Sequence, residues 1–403
     1  SYEKGGKADR ANELFETFIN ECPSDENSAG LYYRVATNYA GILELDKAVT
    51  YYENLYKYFG PDSSYARKNG GKADPNASSA LYMAGFLRIG QGDHRGAAEN
   101  FTRYAKQFPD AIDAEQVRWS ANEEWEKVGD KEGRAAYQDY LKWASKTEDT
   151  SPNHVIDAHY WLVQFYQRSG DSRKEEQAWA DLTDSYNGLA SAGKVQAGSI
   201  AANRAAEAAF RNLEALYIDF ADDDYPRKQD SETLKAFLLD EGSKLDEYVL
   251  LEQEALKIIE RYADFEYSSA AIYIWGKSYI RMAEYLYNAP MPTDLAALAQ
   301  GDEDFLWDLE TQWESALSDL AIPLEEKAIA RFEANLAKST NEKRSSVWID
   351  KSILALNDIN PSQYPLEKAE LRGQADAAVM PSVDRPIEQA EPEPTADEAE
   401  GAQ

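Results

Sequence analysis

The residues that could do chemistry here are three histidines, one cysteine and a dense population of carboxylates. The histidines are His94, His154 and His159. His154 and His159 lie five apart, a spacing that does not share a helix face well, and no cysteine is near. Zinc needs about four convergent N, S or O ligands, so no metal site is expected. The run DFADDD at 219–224 lacks the glycine and spaced ligands of a calcium loop and reads as a solvated helix end. No Gly-rich phosphate loop follows a strand pattern, and no Ser or Cys nucleophile stands in a motif with histidine. Cys22 precedes Pro23 at a helix exit and reads as a half-buried small residue; being the one cysteine, it forms no internal disulfide. Carboxylate pairs carry no information in a chain with 73 Asp and Glu against 42 Lys and Arg. Asn76-Ala-Ser78 and Asn100-Phe-Thr102 match the glycosylation acceptor pattern by chance, since Asn100 falls inside a helix. The expectation is a chain with no catalytic residue, no metal and no cofactor.

Recognition chemistry remains. Tyr33, Tyr82, Trp119, Tyr160 and Tyr273 each follow a large core position on an amphipathic stretch. Such a row offers rigid apolar area with polar tips, suited to an extended peptide or a partner helix. Phe86 and Gln164, with Thr37, Glu123 and Lys277, stand four residues later and would tune specificity. The competing reading is that each ring only packs on its neighbours. A second candidate is the loop 63–77, whose Arg67, Lys68 and Lys72 are basic in an acidic chain and could dock an acidic partner; the competing reading is a mobile linker. Residues 288–305 form a further insertion.

Helices must position these residues. Gly92-Asp93, Gly129-Asp130 and Gly170-Asp171 each separate two stretches of helical period. Residues 29–62 carry Tyr32, Val35, Ala36 and Tyr39, then Ala48, Tyr52, Leu55 and Pro61. Residues 78–111 carry Leu81, Ala84, Gly85 and Arg88, then Gly92, Ala97, Phe101, Tyr104 and Pro109. Small residues let paired helices approach, and aromatics fill the gap to the next pair. Around Gly129 the second helix fits with a one-residue insertion, through Ala136, Tyr140 and Trp143; around Gly170, Glu175 stands where a small residue is expected. Two longer helices are expected in 198–262, a first helix at Ile272–Tyr279, a late partner with Ala328 and Phe332, and a capping helix before 365.

This pattern resembles the tetratricopeptide repeat, a pair of helices that stacks on its neighbours because one pair cannot bury its apolar face alone. The resemblance implies an all-α, right-handed α-solenoid. It covers about residues 1–180, and 250–365 more loosely. The opening Gly6, Ala11, Phe15, Phe18 and Pro23 read as the second half of a repeat, with a first helix expected upstream. The expected divisions are 1–195, 196–371 with longer helices and a cap, and a disordered acidic tail at 372–403. The exits KQFPDAIDA and YKYFGPDSSYA are similar to envelope members of the superfamily: the lipoprotein of the outer-membrane β-barrel assembly machine and the periplasmic coordinator associated with Tol-Pal. The ending LALNDINPSQYPLEKAEL resembles large repeat proteins of myxobacterial cell envelopes.

A net charge of −31 excludes nucleic acid as a partner class, because phosphate binding needs Lys and Arg to displace counterions. No run reaches the roughly 18 apolar residues of a membrane span. The resemblance therefore implies a non-catalytic protein-interaction scaffold of a Gram-negative envelope, periplasmic or outer-membrane-associated, with peripheral or lipid-anchored association through an upstream segment. Its partners would be envelope-complex subunits or peptide segments. The alternatives are a cytosolic peptide-binding adaptor or co-chaperone, and an accessory domain of a larger enzyme. A clamp of groove Lys and Asn, which would favour the co-chaperone, is not seen in the sequence.

Overall fold

The computed structural model describes residues 8–148, 150–240 and 242–366. Every regular element within them is helical, as the periodicity predicts. Gly6 and the tail expected at 372–403 lie outside the described residues. The chain divides into two compact units: residues up to Asp219 with Gln253–Ala271, and Phe220–Glu252 with the residues from Ile272 onward.

The first unit is built from α1 (Ala8–Glu21), α2 (Ser28–Gly41), α3 (Leu45–Phe59), a short α4 (Ser64–Lys68), α5 (Ala77–Gly90), α6 (His94–Gln107), α7 (Ala114–Val128), α8 (Asp130–Ala144), α9 (Pro152–Ser169) and α10 (Ser172–Ser191). Consecutive helices pair as α2–α3, α5–α6, α7–α8 and α9–α10. The turns follow from local chemistry. Gly92, at φ +74°, takes the left-handed conformation that ends α5, and Asp93 then caps α6 by accepting the Gly96 N–H at 2.9 Å. Gly170 and Asp171 do the same between α9 and α10, with the Lys174 N–H at 3.2 Å.

One register recurs on the second helices. A small residue is followed four and seven positions later by large buried ones: Ala48, Tyr52 and Leu55; Ala97, Phe101 and Tyr104; Gly133, Tyr137 and Tyr140. The third set corrects the expectation of an insertion after Gly129. The close approach is made by Gly133, where an added Cβ would stand 2.8 Å from Trp161 Cζ2 of α9, while Ala136 and Trp143 are only half-buried. On α10, Glu175 does occupy the small position. It stays at the edge, accepting from Gln167 at 3.2 Å, and Trp179 and Leu182 are buried behind it.

Stretches of α11 (Ile200–Asp222), α13 (Lys244–Tyr262) and α14 (Phe265–Tyr287) belong to each unit. The second unit adds α12 (Ser231–Leu239), a short α15 (Thr293–Ala296) with a 3-10 turn at Ala297–Ala299, α16 (Glu303–Glu342) and α17 (Val347–Ile359). Two features differ from the sequence reading. The stretch between the two long helices of 198–262 contains α12, and Lys244 holds it in place. That side chain is 2% exposed, donates to Asp223, Glu247 and the Phe220 carbonyl, and lies 5.3–5.9 Å from the rings of Phe220, Phe237 and Tyr285. Burial alone would favour the neutral amine, but the two carboxylates win and raise its pKa. Secondly, α16 runs 40 residues through Pro323, where a break is the usual outcome. Leu317, Ala321, Ala328 and Phe332 form a buried stripe on both sides of the proline, and Pro323 itself is exposed off that stripe, so face burial offsets the missing N–H.

Candidate functional site

The residues of the expected aromatic row sit on the first helices, but their surroundings differ. Tyr33 of α2 stands edge-on to Tyr52 at 5.5 Å, and the Thr37 hydroxyl lies 3.0 Å from the Tyr52 hydroxyl. Tyr82 of α5 leans on Phe101 at 5.7 Å and Tyr104 at 6.3 Å yet remains 38% exposed. Phe86, one turn further along α5, is 55% exposed. The two share one helix face at i, i+4 spacing and form an open apolar pair.

Trp119 of α7 is in the core, not on an open face. It is 8% exposed, stacked on the His154 imidazole at 4.4 Å, and flanked by Tyr137 and Tyr140 at 5.6 and 5.4 Å. Its indole N–H donates to Glu123 at 3.0 Å. Glu115 lies 2.7 Å from His154 Nδ1 and accepts the Tyr140 hydroxyl at 2.7 Å. Burial pulls Glu115 up, but those hydrogen bonds dominate and hold its carboxyl below the usual range. Tyr160 of α9 is covered by the Arg204 guanidinium at 4.0 Å and donates to Glu207 at 3.2 Å; Gln164 is engaged with its hydroxyl. Burial, then Glu207, raises the Tyr160 phenol. Tyr273, in the second unit, lies 5.9 Å from Phe332 and 5.6 Å from Trp348, and burial raises its phenol too. The expected groove positions therefore leave Tyr82 and Phe86 as the most open pair.

The loop 63–77 is more ordered than a linker. Ser63 caps α4 by accepting the Ala66 N–H, Ala66 is fully buried, and Tyr65 meets Phe59 edge-on at 5.2 Å. Arg67, Lys68 and Lys72 stay exposed. Cys22 is exposed rather than half-buried. Among the described residues no group of three or more His, Cys, Asp or Glu side chains could hold a metal ion. No helix among them is long and apolar enough to cross a membrane.

Sequence reasoning missed a cleft of about 480 Å³ between the second helices α3 and α6, walled by Tyr56, Lys57, Arg103, Lys106 and Trp125. A signal was present. Lys57 and Lys106 occupy the same repeat position, nine residues after Ala48 and Ala97.

Residues 79–111 match the tetratricopeptide repeat family. This segment is similar to a tetratricopeptide repeat. It spans most of α5 and all of α6, with Tyr82, Gly85, Phe86, Ala97, Phe101 and Tyr104, and Gly85 lies so close to Phe101 that the two lock the pair. No curated protein matches the chain. Among solved structures, the chain is similar to a putative kinesin light chain from Podosopora anserina with nearly identical TPR-like repeats. The identity is 12%, with 46% of this chain and 89% of that chain covered and a TM-score of 0.28. A point variant of that protein gives 12%, 48%, 92% and 0.27 in the same order. A circular tandem repeat protein with novel repeat topology gives 12%, 92%, 89% and 0.18. Tetratricopeptide repeats are interaction modules whose stacked pairs present extended binding surfaces, and such a fold is typically a non-catalytic scaffold.

Proposed function

We propose that this chain is a non-catalytic protein-interaction scaffold that receives a partner's peptide or helix on the first-helix face of α5, with Tyr82 and Phe86 as the apolar anchors. The observation that carries this reading lies in the segment 79–111 that matches the repeat: two large rings reach solvent from α5, which Gly85 seats closely against Phe101. Rigid presentation of exposed aromatics is what a hot spot needs. The partners are proteins, and the similarity of the exits KQFPDAIDA and YKYFGPDSSYA to envelope repeat proteins supports a Gram-negative envelope complex, periplasmic or outer-membrane-associated, as the setting.

The test is crosslinking capture from native cells with the wild-type chain and with Tyr82→Ala plus Phe86→Ala, helicity being checked by circular dichroism. The expected result is a defined envelope protein captured by wild type and lost in the still-helical variant. Capture of the same protein by both forms overturns the α5 site. Capture confined to cytosolic peptides favours the adaptor reading instead.

A further inference from the structure

We infer that the cleft between α3 and α6 is a second binding site, for an acidic peptide segment of a partner protein. It shares no residue with the Tyr82–Phe86 pair, so it stands whether or not that surface binds.

The starting point is charge. In a chain of net charge −31, carboxylates surround the cations and hold several of them. Arg88, for example, is held by Glu53 and Asp93, and Arg95 by Glu132 at 3.0 Å. Lys57, Arg103 and Lys106 are exposed on the walls of one cleft, and among the described residues none of them has an ion-pair partner. The contacts they make are with rings: Lys57 lies 5.1 Å from the Tyr58 ring centroid and Arg103 5.8 Å from that of Tyr56. Lys57 and Lys106 stand in the last turns of their helices, which the helix dipole favours. Arg103 lies a turn earlier, and its position needs another reason.

The shape selects the ligand. The cleft continues into a second one of about 600 Å³, the two sharing Tyr56, Lys57, Glu99 and Arg103, so the opening is an elongated trough. Trp125 lines the first cleft, its N–H donating to Thr102 at 3.1 Å and its ring lying 5.6 Å from the Arg95 guanidinium, so the indole stands among the cations. Glu99 and Asp62 in the walls disfavour a compact, multiply charged anion such as phosphate. They suit a chain whose carboxylates are spaced along its length and whose backbone N–H groups can donate to them. Charge-assisted pairing with Arg103 and stacking on Tyr56 and Trp125 would then fix register.

The test uses the full chain and a fluorescein-labelled peptide rich in Glu and Leu, read by fluorescence anisotropy at low and at physiological salt. So acidic a protein should repel this probe, which makes binding itself informative. The expected result is saturable binding that weakens with salt. Lys57→Gln, Arg103→Gln and Lys106→Gln together should weaken it roughly tenfold, the sum of three exposed ion pairs. Tyr82→Ala plus Phe86→Ala should leave it unchanged, and inorganic phosphate at equal ionic strength should not displace it. If the triple variant loses helicity, the single charge reversal Lys106→Glu gives the same readout. Absence of binding by wild type, unchanged affinity in the cation variants, or displacement by phosphate each overturns the assignment. Because the α5 anchors are read by their own variant, failure here and failure there are distinguishable.

Discussion

The helix pair α5–α6 in the first unit and the pair α14–α16 in the second are built on the same lock and put it to different uses. In the first, a Cβ added at Gly85 would stand 2.6 Å from Phe101 Cε1; in the second, one added at Gly276 would stand 2.5 Å from Phe332 Cε1. Tyr82 and Tyr273, three residues before those glycines, meet the same two phenylalanines at 5.7 and 5.9 Å, with interplanar angles of 41° and 43°. The connectors differ. Residues 91–93 suffice between α5 and α6, whereas 288–302 and the first half of α16 intervene in the other pair. The cover differs as well: Tyr273 is shielded by Trp348 and Lys351 of α17, and Tyr82 has no comparable cover among the described residues. The lock is thus a structural constant, and whether the ring beside it is available for binding is set by the next element in the chain.

The largest effect should come from removing the ring of each lock. Phe101 is 2% exposed and Phe332 fully buried. Phe101→Ala and Phe332→Ala should each cost about 3–5 kcal/mol, the usual range for emptying a buried aromatic site. Urea denaturation followed by circular dichroism measures this. A cost below about 1 kcal/mol for Phe332→Ala would break the equivalence of the two pairs, showing that α16 is held by its other contacts.

Next come the glycines. In an exposed helix, Gly→Ala gains up to about 1 kcal/mol. At Gly85 and Gly276 the added methyl meets a ring that cannot retreat, and overpacking of this kind costs about 1–3 kcal/mol. The sign is therefore diagnostic: both variants should melt lower than wild type. Combining Gly85→Ala with Phe101→Leu should recover part of the loss of Phe101→Leu alone, and likewise at Gly276 and Phe332. Independent, additive costs would mean that the glycine and the ring do not meet.

The register of the locks was legible in the sequence because it is local. Ala48, Tyr52, Leu55 and Ala97, Phe101, Tyr104 read correctly from spacing alone, and Gly92 and Gly170 marked real turns. What escaped depends on partners distant in the chain. Trp119 has the same sequence position as Tyr82, but the His154 ring from α9 covers it. Tyr160 looked open until Arg204 of α11 lay across it. Gly133 was missed because it serves Trp161, in the next helix pair. Pro323 argued locally for a break and lost to the stripe formed by Leu317, Ala321, Ala328 and Phe332. The cleft of Lys57, Arg103 and Lys106 is invisible to a search along single helices, since its walls come from two repeats.

The tyrosines beside the locks sharpen the contrast in use. Tyr82→Ala plus Phe86→Ala should abolish partner capture and cost less stability than Tyr273→Ala, because the Tyr82 contacts with Phe101 and Tyr104 are partly open to water. Tyr273→Ala should do the reverse. It strips ring contacts with Phe332 and Trp348, worth about 0.5–1.5 kcal/mol each, and leaves capture intact. Thermal melts set beside the capture assay separate the two. Loss of capture in Tyr273→Ala would show that the cover over that ring does not decide its availability.

The smallest effect compares the two units through buried phenols. Burial, helped by Tyr58, pushes Tyr32 up to about 12, and burial, helped by Tyr285, pushes Tyr225 up to about 12, from an ordinary value of 10.0. A group whose folded pKa is raised contributes stability that is fully present below its unfolded pKa and is lost as pH rises through the folded value. Stability should therefore hold to about pH 10 and fall between about 10 and 12, with phenolate absorbance of these rings appearing in that window. Tyr32→Phe should remove a small part of the alkaline loss of the first unit, and Tyr225→Phe a small part of that of the second, since other buried phenols such as Tyr52 and Tyr279 are raised as well. Tyr225→Phe also removes the hydrogen bond from the Tyr225 hydroxyl to the Tyr285 carbonyl. Its stability below pH 10 should therefore drop by about 1 kcal/mol, while Tyr32→Phe should leave the plateau unchanged.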